Sequence, residues 1–490
     1  MRTKRFLWGL LVVALAATSS AAAAVERPRL VVGIVVDQMR WDMLYTFADQ
    51  YGNDGFNRLL REGMSFANTT INYVPTVTAA GHASIYTGTT PAFHGIAANN
   101  YRLGDRYISS VEDETVSGVG TTSRQGNRSP RNLIATNIGD QLKIATEGQG
   151  RVVGVALKDR AAILPAGHAA DGAFWYDNAT HAFITSSFYA TSLPQWVEQF
   201  NHDNAATLSM DLFNKPEGVT MTFALAEAAM DAYNLGNGEA CDMLAISIST
   251  TDALAHNVGN MTPQVREVYR QLDRDLAAFL NRLDSRVGKG NYLLFLTADH
   301  GGTFSEPYLR EKRIPTGIWE SDSAFRALNA ALQARWGIDN LVERQMQFSF
   351  YLNNAAIAAA GLQRDTVAAY ACRLLENDPQ IQWAVDMENI SAKSLPSELK
   401  EKLLLGYHKP RSGDIYIIPY VGIYAERRGT PGSNHSCHTQ SDSHIPLIFM
   451  GWHIDAGERF SPTHITDIAP TVCALLHIAP PNASIGVPLF

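Results

Sequence analysis

Several acidic and imidazole side chains stand at the edges of short apolar runs, where they can act together. Asp37 closes the run Leu30–Val36, and Asp252 follows residues 243–248, with His256 four positions later. Asp299 and His300 follow residues 292–296, and His444 stands just before residues 446–450. In open α/β sheets ligands gather outside the carboxyl ends of the strands. The first three groups are therefore expected on one rim, with His444 carried there by its loop. Carboxylates and imidazoles converging in this way form a divalent-metal site, and the mixed oxygen and nitrogen donors suit zinc. Each group alone reads more plainly. An Asp at a strand end caps a helix or forms a turn, an Asp/His pair four apart marks one helix face, and Asp-His-Gly is a common turn. The metal reading rests on their joint occurrence at comparable strand ends.

Two further groups bear on catalysis. In Pro75-Thr76-Val77-Thr78-Ala79-Ala80-Gly81-His82, a stiff entry leads into small residues that open a helix. Threonine at a helix start is usually an N-cap. The same place suits a nucleophile for phosphate, because free backbone N–H groups there attract anionic oxygens. Its hydroxyl is weakly nucleophilic until a base or a metal activates it. Lys158 and Arg160 are two apart after residues 151–157; if that strand continues, they share a face. By itself the pair reads as a solvated strand end, but beside a metal site it forms a binding site for phosphate oxygens.

Elements that can position these groups are legible. Residues 30–36, 151–157, 243–248, 292–296 and 446–450 are rich in Val, Ile, Leu and Phe without alternation, the pattern of parallel strands covered on both faces. Residues 219–233 and 264–283 read as helices. The second repeats Val265, Val268, Leu272, Leu276, Leu280 and Leu283 at helical spacing. This alternation predicts an α/β fold with a central, mostly parallel sheet flanked by helices. From about residue 304 to 428 the pattern changes to a small α+β insertion, expected as a cap over one end of the sheet.

Composition narrows the setting. Of 490 residues, 46% are hydrophobic and 18% charged, an ordinary globular balance. Arg2, Lys4 and Arg5 precede an apolar stretch and a small-residue run ending at Ala24, the order of a cleaved secretory signal. Residues 1–24 are therefore expected to be removed, leaving 25–490 as a periplasmic or secreted catalytic domain. No later segment is long and apolar enough to span a bilayer. The formal charge of −8 becomes −11 once those three cations leave. An acidic chain is a poor nonspecific nucleic-acid binder, and an anionic substrate would need local cations. Cys241, Cys372, Cys437 and Cys473 are widely spaced without C-x-x-C, so a zinc knuckle is not expected. Sequence cannot pair them, and buried structural or free thiols are the simpler reading.

Taken together, these motifs resemble the alkaline phosphatase superfamily, and most closely its monomeric branch with a threonine nucleophile and a Lys/Arg pair. The resemblance covers nearly the whole mature chain and includes His94-Gly-Ile-Ala-Ala-Asn99 and Asp467-Ile-Ala-Pro-Thr. It implies two zinc ions, one held by Asp252, His256 and His444, the other by Asp37, Asp299, His300 and the Thr78 oxygen. Asn99, Lys158 and Arg160 would bind the non-bridging phosphate oxygens. Thr78 would attack phosphorus in line, forming a phosphothreonine that is then hydrolysed. A monomer acting on small phosphate esters is implied. The extra cations favour a monoester dianion, so a phosphomonoesterase is expected. A nucleotide pyrophosphatase/phosphodiesterase on the same fold is the alternative, and an inactive metal-binding surface protein a second. The usual sulfatase motif is missing around Thr78. His435, Cys437 and His438 lie in a loop longer and richer in His and Cys than the resemblance implies; they could bind metal adventitiously, or one could compete with His444, which is preferred because the Ile-Pro-Leu run after it fits the family pattern. His82 and His94 read as structural. Tyr101, Trp175 and Tyr176 are candidates for the leaving-group side, with core packing the plainer reading.

Overall fold

The computed structural model describes residues 26–425 and 431–490; the expected signal segment lies outside the described residues. The apolar runs form the middle of a ten-stranded sheet. Leu30–Val36, every residue buried, pairs in parallel with Asp242–Ile248 on one side and Tyr292–Thr297 on the other. Val152–Ala156 and Gly172–Asp177 extend the parallel set. Helices such as Glu217–Ala232 and Pro263–Leu283 supply the covering layers. The latter buries Val265, Val268, Leu272, Leu276, Leu280 and Leu283, the positions its spacing predicts.

Register explains why one rim collects the polar groups. Val36 is level with Ile248, and Val35 with Thr297, so the segments beginning at Asp37, Ser249 and Ala298 leave the sheet side by side. One strand departs from expectation. Residues 446–450, read as another parallel strand, become Leu447–Gly451, antiparallel to Tyr292–Thr297. A strand covered on both faces has the same composition in either direction. Here the chain enters from the rim, since Leu447 is level with Thr297.

Within the expected insertion lies a four-stranded antiparallel sheet ordered Val342–Met346, Ser349–Leu352, Ile415–Pro419 and Ile381–Asp386. With helices Ser321–Trp336 and Arg364–Leu375 it encloses a separate apolar cluster that includes Phe350, Val367 and Ile417. Arg411 ties this part to the main sheet region. Its Nη1 donates to the carbonyls of Gly95 at 2.5 Å and Asn132 at 2.6 Å, and its guanidinium lies over Tyr101. All four cysteines are buried free thiols.

Candidate active site

Three buried carboxylates meet at the rim. Asp37 follows the central strand directly. Its Oδ2 accepts from Lys158 Nζ at 2.6 Å, while its Oδ1, 3.5 Å from His300 Nε2, has no hydrogen-bond partner. Asp252 sits in the first turn of helix Thr250–Val258, four residues from His256, so both face one way; His256 Nε2 is 3.1 Å from Asp252 Oδ1. Lys158 Nζ also contacts Asp252 Oδ2 at 2.5 Å. Asp299 presents Oδ1 to the Gln38 and His300 N–H groups, and its buried Oδ2 has His82 Nδ1 at 3.2 Å. Gln38, which the sequence reading passed over, links two of these acids. Its backbone N–H reaches Asp299, and its Nε2 donates to Asp252 Oδ1 at 2.6 Å. It does so from a left-handed backbone, φ 62°.

The imidazoles require a correction. His444 does not join the cluster. It pairs with Thr70 in a short strand, stacks on Trp41 with ring centroids 4.9 Å apart, and directs Nε2 to the Ala67 carbonyl at 2.8 Å. His435 occupies the expected place instead. Its ring stacks on His300 at 3.8 Å, lies 5.1 Å from His256, and brings Nε2 within 3.8 Å of Asp252 Oδ1. The loop reaches this position because Gly432 lies flat against the chain: a Cβ there would stand 1.7 Å from the His256 carbonyl oxygen. A carbonyl only accepts, so His435 Nδ1, 2.7 Å from Thr76 O, carries the proton and leaves the Nε2 lone pair facing the acids. His300 repeats the arrangement, with Nδ1 donating to Gly301 O at 2.8 Å. Fixing the outer nitrogen in this way is how proteins orient metal-binding imidazoles.

Thr78 opens the fully buried helix Thr78–Thr87, but the N-cap is Val77, so Thr78 is not the cap its position suggested. Its hydroxyl lies 3.5 Å from His300 Nε2. Asn99 Oδ1 accepts from the N–H of Ala79 at 2.8 Å, which sets Asn99 one residue from the hydroxyl. One turn along the same helix, His82 spans Thr78 O at 2.8 Å, Ser247 Oγ at 2.8 Å and Asp299 Oδ2 at 3.2 Å. The approach is close because residue 81 is glycine: a Cβ there would meet the Asp299 carbonyl oxygen at 2.2 Å.

Lys158 and Arg160 are near one another for a different reason from the predicted strand face. The strand ends at Ala156, Lys158 is the N-cap of helix Asp159–Ala166, and Arg160 is its second residue. Arg160 leaves a buried Nε without a hydrogen bond. Tyr101, Trp175 and Tyr176 prove to be core residues, their polar tips bonded to the carbonyls of Ser110, Gln125 and Leu208. His94 is likewise buried, against Ser84.

Electrostatics set these groups apart from ordinary surface acids. Burial pushes the Asp37 carboxyl well up, and the neighbouring Asp252 and Asp299 charges add to this against Lys158. Burial also acts to raise Asp252, but the His256 and Lys158 charges outweigh it and hold that group well below the usual range. His435 is pushed down by burial and by repulsion from His300 and His256, so it stays neutral and able to donate a lone pair. Of the three buried carboxylates only Asp37 and Asp252 pair with the Lys158 ammonium, and Asp37 Oδ1 has no hydrogen bond. Such a deficit is met by cations. The ligand atoms of Asp252, His256 and His435 lie within 4.8 Å of one another, as do those of Asp37, Asp252 and His300. Both groups fit a divalent metal with mixed donors.

Residues 31–444 match the family described as type I phosphodiesterase / nucleotide pyrophosphatase. The chain is 41% identical to alkaline phosphatase PafA of Elizabethkingia meningoseptica, over 99% of this chain and 98% of that one. It is 40% identical to alkaline phosphatase PhoV of Synechococcus elongatus, over 94% and 92% respectively. The crystal structure of PafA superposes with a TM-score of 0.92 at 40% identity, covering 95% of this chain and 99% of that one.

Proposed function

For a chain that belongs to the type I phosphodiesterase/nucleotide pyrophosphatase family, within the alkaline phosphatase superfamily, we propose an exported alkaline phosphatase that transfers the phosphoryl group of a monoester to Thr78 and then to water. The observation that carries this reading is the gathering of Asp37, Asp252, Asp299, His256, His300 and His435 at one buried rim, with the Thr78 hydroxyl 3.5 Å from His300 Nε2. Asp252, His256 and His435 would hold one zinc ion, and Asp37, Asp299 and His300 the other. When bound, such ions lower the pKa of a coordinated hydroxyl or water and neutralise charge on entering and leaving oxygens.

The chain's own residues do the rest. The helix beginning at Thr78 fixes its hydroxyl at the rim, and exposed N–H dipoles at a helix start favour phosphate oxygens. Asn99 commits its carbonyl oxygen to Ala79 and so keeps its NH2 group for substrate. Lys158, held by two carboxylates, retains one of its three donors for a phosphate oxygen. Arg160 supplies a fork beside it. Residues 1–24 are read as a cleaved export signal, which places the enzyme in the periplasm or outside the cell.

Brief exposure to substrate followed by acid quenching tests the nucleophile. A phosphoryl group should be found on the peptide containing Thr78 and be absent from Thr78→Ala. Label on another residue, or equal turnover by Thr78→Ala, overturns the assignment. The family description includes phosphodiesterases, so the monoester preference needs its own test. Replacing Lys158 or Arg160 with Ala should lower kcat/KM for an aryl monoester by about 100-fold or more, and for the matching diester far less. Equal losses would remove the basis for the preference.

A further inference from the structure

Arg160 has a second arginine behind it. Arg128 Nε donates to Asp159 Oδ2 at 2.7 Å. Asp159 Oδ1 accepts from the Arg160 N–H at 2.7 Å and lies 3.6 Å from Arg160 Nη1. The three charges form a row, Arg128–Asp159–Arg160, that ends beside Lys158. Burial and the Arg160 charge both oppose the Lys158 ammonium, so the two cations stand close, and Asp252 and Asp37 outweigh them. Among the described residues Asp159 is the one carboxylate paired with Arg160. It is largely withdrawn from water, as is Arg128, each 11% exposed. Arg128 is itself fastened: its N–H reaches the Gly126 carbonyl at 3.0 Å, and its own carbonyl accepts from Ser186 Oγ at 2.7 Å. Ser186 ends the strand Ala182–Ser186, which pairs with Gly172–Asp177 of the main sheet.

The row acts on Arg160 in two ways. The first is geometric. A guanidinium on a flexible stem must be fixed before substrate arrives, or binding has to order it, and a displacement of about 1 Å can cost about 100-fold in rate. With Oδ2 tied to Arg128, the Asp159 carboxylate cannot turn freely, so Oδ1 keeps facing Arg160. The second is charge. Asp159 alone beside Arg160 would cancel it and compete with phosphate for the same donors. Shared between two arginines, the carboxylate leaves a net positive charge at the site. We propose that Arg128 is a positioning residue for phosphate binding: acting through Asp159, it fixes the Arg160 guanidinium and keeps it free to take a phosphate oxygen. The proposal rests on the reading of Arg160 as a phosphate ligand above and adds the support that reading lacks. No periodicity marks Arg128 in the sequence; it stands in an irregular segment, 31 residues before Asp159.

A double-mutant cycle read by steady-state kinetics tests this. With an aryl monoester, Arg128→Gln should lower kcat/KM by about tenfold and weaken inhibition by inorganic phosphate to match. The loss for the matching diester should be much smaller, a difference that a general structural defect would not produce. Arg128→Lys, which can keep an ion pair with Asp159, should recover most of the loss. In the Arg160→Ala background, Arg128→Gln should lower kcat/KM by no more than about twofold. The same loss in that background as in the unaltered enzyme shows Arg128 acting independently of Arg160 and overturns the proposal. So does no loss in the unaltered enzyme, or an equal loss for both esters. If Arg160→Ala by itself leaves monoester turnover unchanged, it is the underlying reading of Arg160 that fails, and the proposal with it. A crystal structure of the unaltered enzyme with inorganic phosphate gives an answer independent of variant folding. Arg160 should contact a phosphate oxygen while Asp159 still bridges it to Arg128; Arg128 released from Asp159, or itself on the phosphate, rejects the role.

Discussion

Gln38 shows how much depends on single side chains around the acids. It spans Asp252 and Asp299 from a left-handed backbone, and Gly302 makes room for it: a Cβ at residue 302 would stand 2.7 Å from the Gln38 amide oxygen. Outer residues that orient ligands typically govern metal affinity by about 10- to 100-fold. Gln38→Ala should therefore weaken zinc binding by that order in a chelator competition while the fold, followed by circular dichroism, is kept; unchanged affinity would assign Gln38 a packing role only. His94 bears on acid stability. Burial, reinforced by the His408 and Arg411 charges, depresses its pKa to about 3, and its Nδ1 accepts from the Ile96 N–H. The unfolded chain, with a pKa of about 6.5, takes up the proton first, so stability is complete above that value and falls as pH drops towards 3, by at most about 1.4 kcal/mol per unit. Urea unfolding of the chelated protein between these limits should show a shallower pH slope for His94→Gln. An identical slope would mean His94 titrates normally. At this scale the sequence was informative about residue type and less so about place. Asp37, Asp299 and His300 follow strands closely, and Asp252 and His256 lie on the helix after one, so all five were legible. His435 lies in a loop, where spacing carries no period, and the Ile-Pro-Leu run after His444 drew the choice to the wrong imidazole.

At the scale of elements, the register of three parallel strands delivers the acids to one level, and one helix delivers the nucleophile. That helix sits against Asp299 only because of Gly81. Gly81→Ala inserts a methyl group where no space exists, and overpacking of this kind costs about 1–3 kcal/mol. Differential scanning calorimetry should register that loss, and kcat should fall too, because the helix and Asp299 are forced apart together. A destabilised but fully active variant would show that the two surfaces yield elsewhere. Buried strands were readable from their unalternated apolar runs, and the long helix from its repeat. Strand direction at residues 446–450 was not, since double-sided burial erases the difference between parallel and antiparallel. Nor was the end of the strand before Lys158: the chain turns into a helix two residues sooner than a continued strand required.

For the whole molecule, the apolar cluster of the inserted part meets the two clusters of the main sheet region across a polar seam. The main sheet carries the acids, and the inserted part reaches it through Arg411 and the salt links of Arg102 with Glu343 and Asp414. Composition indicated this only as a change of pattern after residue 304. Among the described residues no helix is long and apolar enough to cross a membrane. With a formal charge of −8, the molecule relies on cations at the rim both to hold its buried acids and to admit an anion. Chelation should consequently lower the thermal midpoint reversibly. At free zinc about 1,000 times Kd, linkage contributes about 4 kcal/mol per site, and restoring zinc should recover the midpoint and the activity together. A midpoint indifferent to chelator would place the metals outside the folded structure's stability.

Lys158 brings one positive charge to this seam by a different route. An ion is exchanged with its surroundings and thins out when a cell releases its proteins into dilute medium. An ammonium on a peptide chain is delivered once, at synthesis, and no chelator or rinse removes it. By pairing with Asp37 and Asp252 at once, it supplies one counter-charge, shared between them, whose occupancy is always complete.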